Sequence, residues 1–79
     1  MDAKLQKLLA DIFGIRESAL SLDTTREDVD SWDSLKQMDL IISLEKAYAI
    51  SLEIQDIVAL QSVKDIVRVL KEKGVSLEN

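Results

Sequence analysis

Leu5, Leu8, Leu9, Ile12 and Phe13 recur at i, i+3, i+4, i+7 and i+8, so they share one face of a helix. The same period returns further along, and it directs the chain to an all-α fold. Asp2 can cap the first helix and Gly14 can end it, because glycine accepts the left-handed conformation that follows many helices. This predicts a first helix over about 2–13. A second helix is expected over 34–48, where no Gly or Pro intervenes and Asp33 or Ser34 can supply the N-cap. Ile50-Ser51-Leu52 reads as a connector, and Ile54, Ile57 and Val58 suit a short third helix over about 53–59. Ser62 then caps a fourth helix, with Asp65 in a capping-box-like position. Val63, Ile66, Val67 and Leu70 form its inner face, Lys71 and Lys73 complement its C-terminal dipole, and Gly74 closes it. The expected architecture is a small four-helix bundle of three longer helices and one short one. It forms a single domain over 1–79, with 75–79 expected to be a frayed tail.

Residues 15–33 break the pattern and predict a long loop between the first and second helices. Ser18, Ser21, Asp23, Thr24, Thr25 and Asp30 are turn-formers or caps, and a short helical turn fits around Thr25–Val29. Ile15, Leu20, Leu22, Val29 and Trp32 are the apolar residues available to pin this loop to a core. Loops of this length inside small domains usually have a functional reason. The loop also concentrates the charge. Within residues 17–33, Glu17, Asp23, Glu27, Asp28, Asp30 and Asp33 face a single base, Arg26, so this stretch accounts for the whole net charge of −5.

The second helix has two apolar stripes when its residues are placed at 100° steps. Leu40, Ile41, Leu44 and Tyr48 form the stripe that a bundle core requires. Leu35, Met38 and Ile42 fall on the other side, flanked by Asp39, Glu45 and Lys46. Two arrangements accommodate this second stripe: the loop folds over it, or it stays exposed as an apolar docking strip with a charged rim. An exposed strip would suit a helical interaction module with no prosthetic group.

The 79 residues include no His, Cys or Pro. No disulfide framework, thiolate nucleophile or Cys-based metal site is possible, and the usual general base near neutral pH is missing. Ser–His and Cys–His catalysis are therefore excluded, and the 15 Asp+Glu serve solubility and capping more simply than acid–base work. The chain is expected not to be an enzyme, and no metal site is expected. Its acidity argues against a nucleic-acid partner, since binding phosphates calls for clustered Lys and Arg. No stretch approaches the ~18 apolar residues of a membrane span. The polar start, Met1-Asp2-Ala3-Lys4, does not suit a secretory leader, so the expected location is the cytoplasm.

Trp32-Asp33-Ser34-Leu35 stands where the acidic loop meets the second helix. By themselves Asp33 and Ser34 are ordinary N-cap residues. In their surroundings they resemble the acyl carrier protein family, peptidyl carrier domains included. The resemblance covers nearly the whole chain. It comprises the amphipathic first helix, the long acidic loop, Asp33-Ser34-Leu35, then Leu40, Leu44-Glu45 and Tyr48-Ala49-Ile50, the short third helix, and Ser62-Val63-Lys64-Asp65-Ile66. It implies that Ser34 carries 4′-phosphopantetheine, taken from coenzyme A by a phosphopantetheinyl transferase, with Asp33 and Leu35 beside it. The arm's thiol would hold acyl, aminoacyl or peptidyl groups as thioesters, supplying the sulfur that this chain lacks. The serine is a weak nucleophile without a base, so it fits a substrate of the transferase, which would bring the base and magnesium. Asp33 would cap the helix and, by resemblance, contact that metal. The helix N-terminus favours a phosphate, while the acidic loop repels one.

The resemblance further implies that Leu35, Met38, Asp39, Ile42 and Glu45 dock partner enzymes: the transferase, an acyl- or aminoacyl-loading enzyme, and a downstream synthase or transferase. The carrier is expected to be a monomer. Two features depart from the typical fatty-acid carrier, whose second helix is strongly acidic. Here Asp39 and Glu45 are balanced by Lys36 and Lys46, and Trp32 precedes the motif. Both favour a specialised stand-alone carrier from a secondary-metabolite, lipid-modifying or amino-acid-loading system.

Overall fold

A computed structural model describes residues 1–78 and contains four helices among them: α1 (Ala3–Phe13), α2 (Ser34–Tyr48), α3 (Ile54–Ala59) and α4 (Val63–Glu72). Each start has a cap that the sequence supplies. The Asp2 side chain accepts from Leu5 N–H, Asp33 from Lys36 N–H and Ser62 from Asp65 N–H. α3 begins one residue later than expected because Glu53 is its cap, forming a reciprocal box with Asp56. Asp65 reaches past Ser62 and accepts from Gln61 N–H at 3.2 Å. Gly14 ends α1 at φ 67°, as expected, whereas Lys73 is the C-cap of α4 and Gly74, at φ 88°, turns the chain one residue later.

α1 and α2 run alongside each other in opposite directions. At one end Lys4 Nζ donates to Ala47 O at 3.0 Å and lies 4.6 Å from the centre of the Tyr48 ring. At the other end Phe13 stacks on Trp32 with ring centroids 4.6 Å apart. The core between the helices is aliphatic. Leu5 and Leu9 from α1, Leu40 and Leu44 from α2, Leu60 from the α3–α4 turn, and Val63, Ile66 and Leu70 from α4 are all essentially inaccessible to solvent. α3 buries no residue of its own to that degree; Ile57 packs against the core while remaining half-buried. No helix of the described residues is long and apolar enough to cross a membrane.

The loop between α1 and α2 is fixed by its backbone as well as by its apolar anchors Leu20, Val29 and Trp32. Arg26 N–H donates to Gln61 O at 2.8 Å, Val63 N–H to Thr24 O at 2.9 Å and Lys64 N–H to Leu22 O at 3.1 Å. These bonds satisfy polar groups that a partly buried loop would otherwise leave unpaired. Two short 3₁₀ turns, Glu17–Ala19 and Arg26–Asp28, complete it. The second is the helical turn expected around Thr25–Val29.

The tail requires a correction. Val75 and Leu77 pack against the core, and Glu78 N–H donates to Asp2 Oδ2 at 3.0 Å. Two apolar side chains and one hydrogen bond hold residues 75–78, which were expected to fray. Asn79, the last residue of that expected tail, lies outside the described residues.

Candidate functional site

Ser34 is the first residue of α2 and is exposed. The turn that presents it is built by its neighbours. Asp33 N–H donates to Ser31 O at 2.9 Å, and Ser31 Oγ donates to Phe13 O at 2.8 Å, tying the segment to the end of α1. Asp33 Oδ1 then accepts from Lys36 N–H at 2.9 Å, and Asp33 O receives Gln37 N–H at 2.9 Å as the first bond of the helix. Ser34 Oγ, Ser34 N–H and Leu35 N–H have no hydrogen-bond partner among the described residues. A free hydroxyl therefore stands beside two free helix donors, with no acidic residue in the first turn of α2. Exposed N–H groups at a helix start favour an anion. This donor set fits a phosphodiester on the serine.

Trp32, two residues earlier, is 3% exposed. Besides stacking on Phe13, it accepts from Arg26 Nε at its carbonyl at 3.0 Å and donates from Nε1 to Gln37 Oε1 at 2.6 Å. Gln37 is itself buried, and its Nε2 donates to Ile57 O at 3.0 Å and to Leu60 O at 3.4 Å. Sequence reasoning passed over Gln37, although a signal was present. It lies three, four and seven residues before Leu40, Ile41 and Leu44, which places a polar amide at the head of the core stripe.

The second stripe of α2 is exposed: Leu35 at 81%, Met38 at 55% and Ile42 at 49%. The loop packs elsewhere, so the arrangement in which it covers these residues does not occur. Ile54 and Val58, both on α3, add two more exposed apolar residues that sequence reasoning assigned no surface role. The two acids grouped with the strip differ. Asp39 is exposed and lies 3.9 Å from Lys36 Nζ. Glu45 turns back into its own chain, where Oε2 accepts from Leu52 N–H at 3.0 Å and orders the connector after α2. Its carboxylate supports the fold at a position expected to serve docking.

Comparison with known proteins bears on the family and the fold. The family described as phosphopantetheine attachment site matches residues 3–70. An acyl carrier protein of Petrotoga mobilis is 26% identical over 70 residues, covering 89% of this chain and 82% of the relative. The solution structure of the holo acyl carrier protein of Geobacter metallireducens superposes with a TM-score of 0.79 at 31% identity, covering 89% of this chain and 80% of that one.

Proposed function

Because the chain belongs to the acyl carrier protein family, we propose that Ser34 is the residue on which it carries its prosthetic group. The chain is a carrier and not a catalyst: acyl groups travel as thioesters on a covalently bound phosphopantetheine. The observation that supports Ser34 is its exposed, unpartnered hydroxyl at the start of α2, next to two unpaired N–H groups. Its Oγ would form the new bond to the phosphorus nearest the pantetheine as the pyrophosphate bond of coenzyme A breaks and the adenosine 3′,5′-bisphosphate portion leaves. The hydroxyl proton would leave to a base on the transferase, since the chain has no histidine. Ser34 N–H and Leu35 N–H can donate to the phosphate oxygens. Asp33 keeps one carboxylate oxygen without a partner among the described residues, and this oxygen is available to the transferase's metal.

The whole chain works as one carrier domain, a monomer in the cytoplasm, on this reading. A phosphopantetheinyl transferase, a loading enzyme and a downstream synthase or transferase approach the exposed strip of Leu35, Met38 and Ile42, with Asp39 at its rim. The balanced charge of α2 favours a specialised pathway, with an acyl, aminoacyl or peptidyl cargo. Coexpression with a broad-specificity transferase, followed by intact mass measurement, tests the attachment site. The wild type should gain one phosphopantetheine and Ser34→Ala none. An adduct that survives Ser34→Ala, or an unmodified wild type, would refute it.

A further inference from the structure

Gln37 hydrogen-bonds the Trp32 indole on one side and the backbone of α3 and the turn after it on the other. Its amide orientation is dictated by its partners. The Trp32 indole can only donate and the carbonyls of Ile57 and Leu60 can only accept, so Oε1 must face the indole and Nε2 must face the end of α3. Two of the partners depend on this amide. Trp32 is 3% exposed and would otherwise hold an unpaired N–H, and Leu60 O has no other donor among the described residues, whereas Ile57 O also accepts from Leu60 N–H at 3.2 Å.

α3 has little else to hold it. It is six residues long and buries no residue fully. Its polar ties beyond Gln37 are an ion pair between Asp56 and Lys73 of the α4 C-cap at 2.9 Å, partly open to solvent, and an exposed bond from Gln61 Nε2 to Val58 O at 3.1 Å. On the opposite side of Gln37, Trp32 is fixed by the Phe13 stack and by Arg26, and it stands two residues before Ser34. A continuous chain of contacts therefore runs from the acidic loop through Trp32 and Gln37 to α3. The exposed Ile54 and Val58 ride on α3, and the exposed Leu35 and Met38 flank Gln37 on α2.

We infer that Gln37 is a positioning residue that locks α3 to the Trp32–Ser34 segment, so that enzymes approaching Ser34 meet the apolar residues of both helices in one fixed arrangement. The effect on enzymes rests on Ser34 being the attachment site; the lock itself does not.

The test compares wild type, Gln37→Met and Gln37→Glu as apo proteins by NMR. Gln37→Met keeps the length of the side chain and removes both sets of hydrogen bonds. Exchange of the Ile57 and Leu60 amides should quicken by on the order of tenfold or more, while α1 and α4 amides keep their rates. Gln37→Glu supplies a pH signature. A buried carboxylate facing two carbonyls is disfavoured and takes up a proton more readily than usual, and only the protonated form can donate to Ile57 O. Protection of α3 relative to α1 should therefore recover in this variant as pH falls from 7 to 5, together with the wild-type shift of the Trp32 indole proton. A role confined to filling space would show no such recovery. With the transferase and saturating coenzyme A, Gln37→Met should raise KM for the carrier with kcat unchanged. Unchanged α3 exchange in Gln37→Met overturns the lock, and loosened α3 with unchanged KM overturns its part in recognition. If Gln37→Met fails to fold, Trp32→Phe removes the indole N–H and keeps the stack, and α3 exchange must then rise. A wild type that is never modified refutes Ser34 while the apo exchange data still decide Gln37.

Discussion

Ala49 closes α2 at φ 54° and ψ 48°, and it is the only non-glycine residue with positive φ among those described. The backbone has good reason to turn there. Ala49 N–H and Ile50 N–H both donate to Glu45 O, which closes the last turn of α2 and sends the chain into the connector. The side chain has no such reason, because a Cβ in the left-handed region costs about 1–2 kcal/mol. Glycine removes that cost but gives back about 0.4–1 kcal/mol through the freer unfolded chain. Ala49 is exposed, so no packing is lost. Ala49→Gly should therefore stabilise by about 0.5–1 kcal/mol, the difference between those two effects. At ~4–8 °C per kcal/mol for a domain of this size, Tm should rise by about 2–8 °C. Gly14 provides the reverse experiment. It caps α1 at φ 67°, and a Cβ added there would meet nothing within 4 Å, so Gly14→Ala isolates the backbone cost and should lower Tm by a similar amount. Thermal and urea unfolding can be followed through Trp32, the single tryptophan, which leaves a stacked, buried site on unfolding. Ala49 lies at the end of α2 away from Ser34, so modification by the transferase should be unchanged. A lower Tm for Ala49→Gly, or an unchanged one for Gly14→Ala, would show that the two caps do not carry this strain.

Met38→Asp and Ile42→Asp should each change stability by no more than about 0.5 kcal/mol, because both side chains are about half exposed. Each should raise the carrier's KM with the transferase, measured at constant coenzyme A; wild-type kinetics in both variants would remove the strip from the docking face. The carboxylates predict acid sensitivity. N–H bonds from Glu78 and Leu5 hold Asp2 below its ordinary pKa, and a bond from Glu53 N–H, followed by Lys73, does the same for Asp56. A folded pKa below the unfolded value means that the stabilisation is present above the unfolded pKa and is lost as pH falls through the folded one. Tm should thus fall below about pH 4. Lys73 is raised by Asp56, so its contribution persists below its ordinary value and is lost as pH climbs through the raised one. In Lys73→Met the alkaline loss should vanish and the acid loss should shrink; an unchanged Tm-against-pH curve would show that the Asp56–Lys73 pair adds nothing to stability.

Local signals carried most of the fold. Asp2, Gly14, Asp33 and Ser62 are caps whose chemistry is legible one residue at a time, and the helices they bound fall within one or two residues of expectation. What escaped was non-local. The pairing of Thr24 and Arg26 with Gln61 and Val63 uses backbone atoms alone, which every residue has, so no side chain announces it. Glu45 was grouped with the docking strip because its position on the helix adjoins it, yet a flexible carboxylate follows the nearest unpaired donor, and Leu52 N–H is that donor. The docked tail was missed for the same reason: Val75 and Leu77 have too short a pattern to predict a partner surface. At the site, Asp33-Ser34-Leu35 was visible as a motif, whereas the Trp32–Gln37 bond becomes evident only once a buried indole is known to need an acceptor.

The placement of charge around Ser34 gains meaning from the same contacts. Arg26 is the only base within residues 17–33, and its Nε is committed to Trp32 O, while the backbone of the loop is bonded to the start of α4. The backbone that carries the acidic residues of the loop, which ends at Asp33 beside the serine, is thus held in place. After the serine, α2 offers exposed Leu35, Met38 and Ile42, with Asp39 already beside Lys36. Charges held at a rim mainly steer encounter and weaken with salt, whereas apolar contact at the centre sets how long a partner stays. On the proposed docking face, the loop would therefore govern how partners arrive at Ser34 and the neutral helix would govern how tightly they hold. In a carrier with a strongly acidic second helix, one element would perform both tasks; on this proposal they would fall to separate elements that meet at Asp33-Ser34.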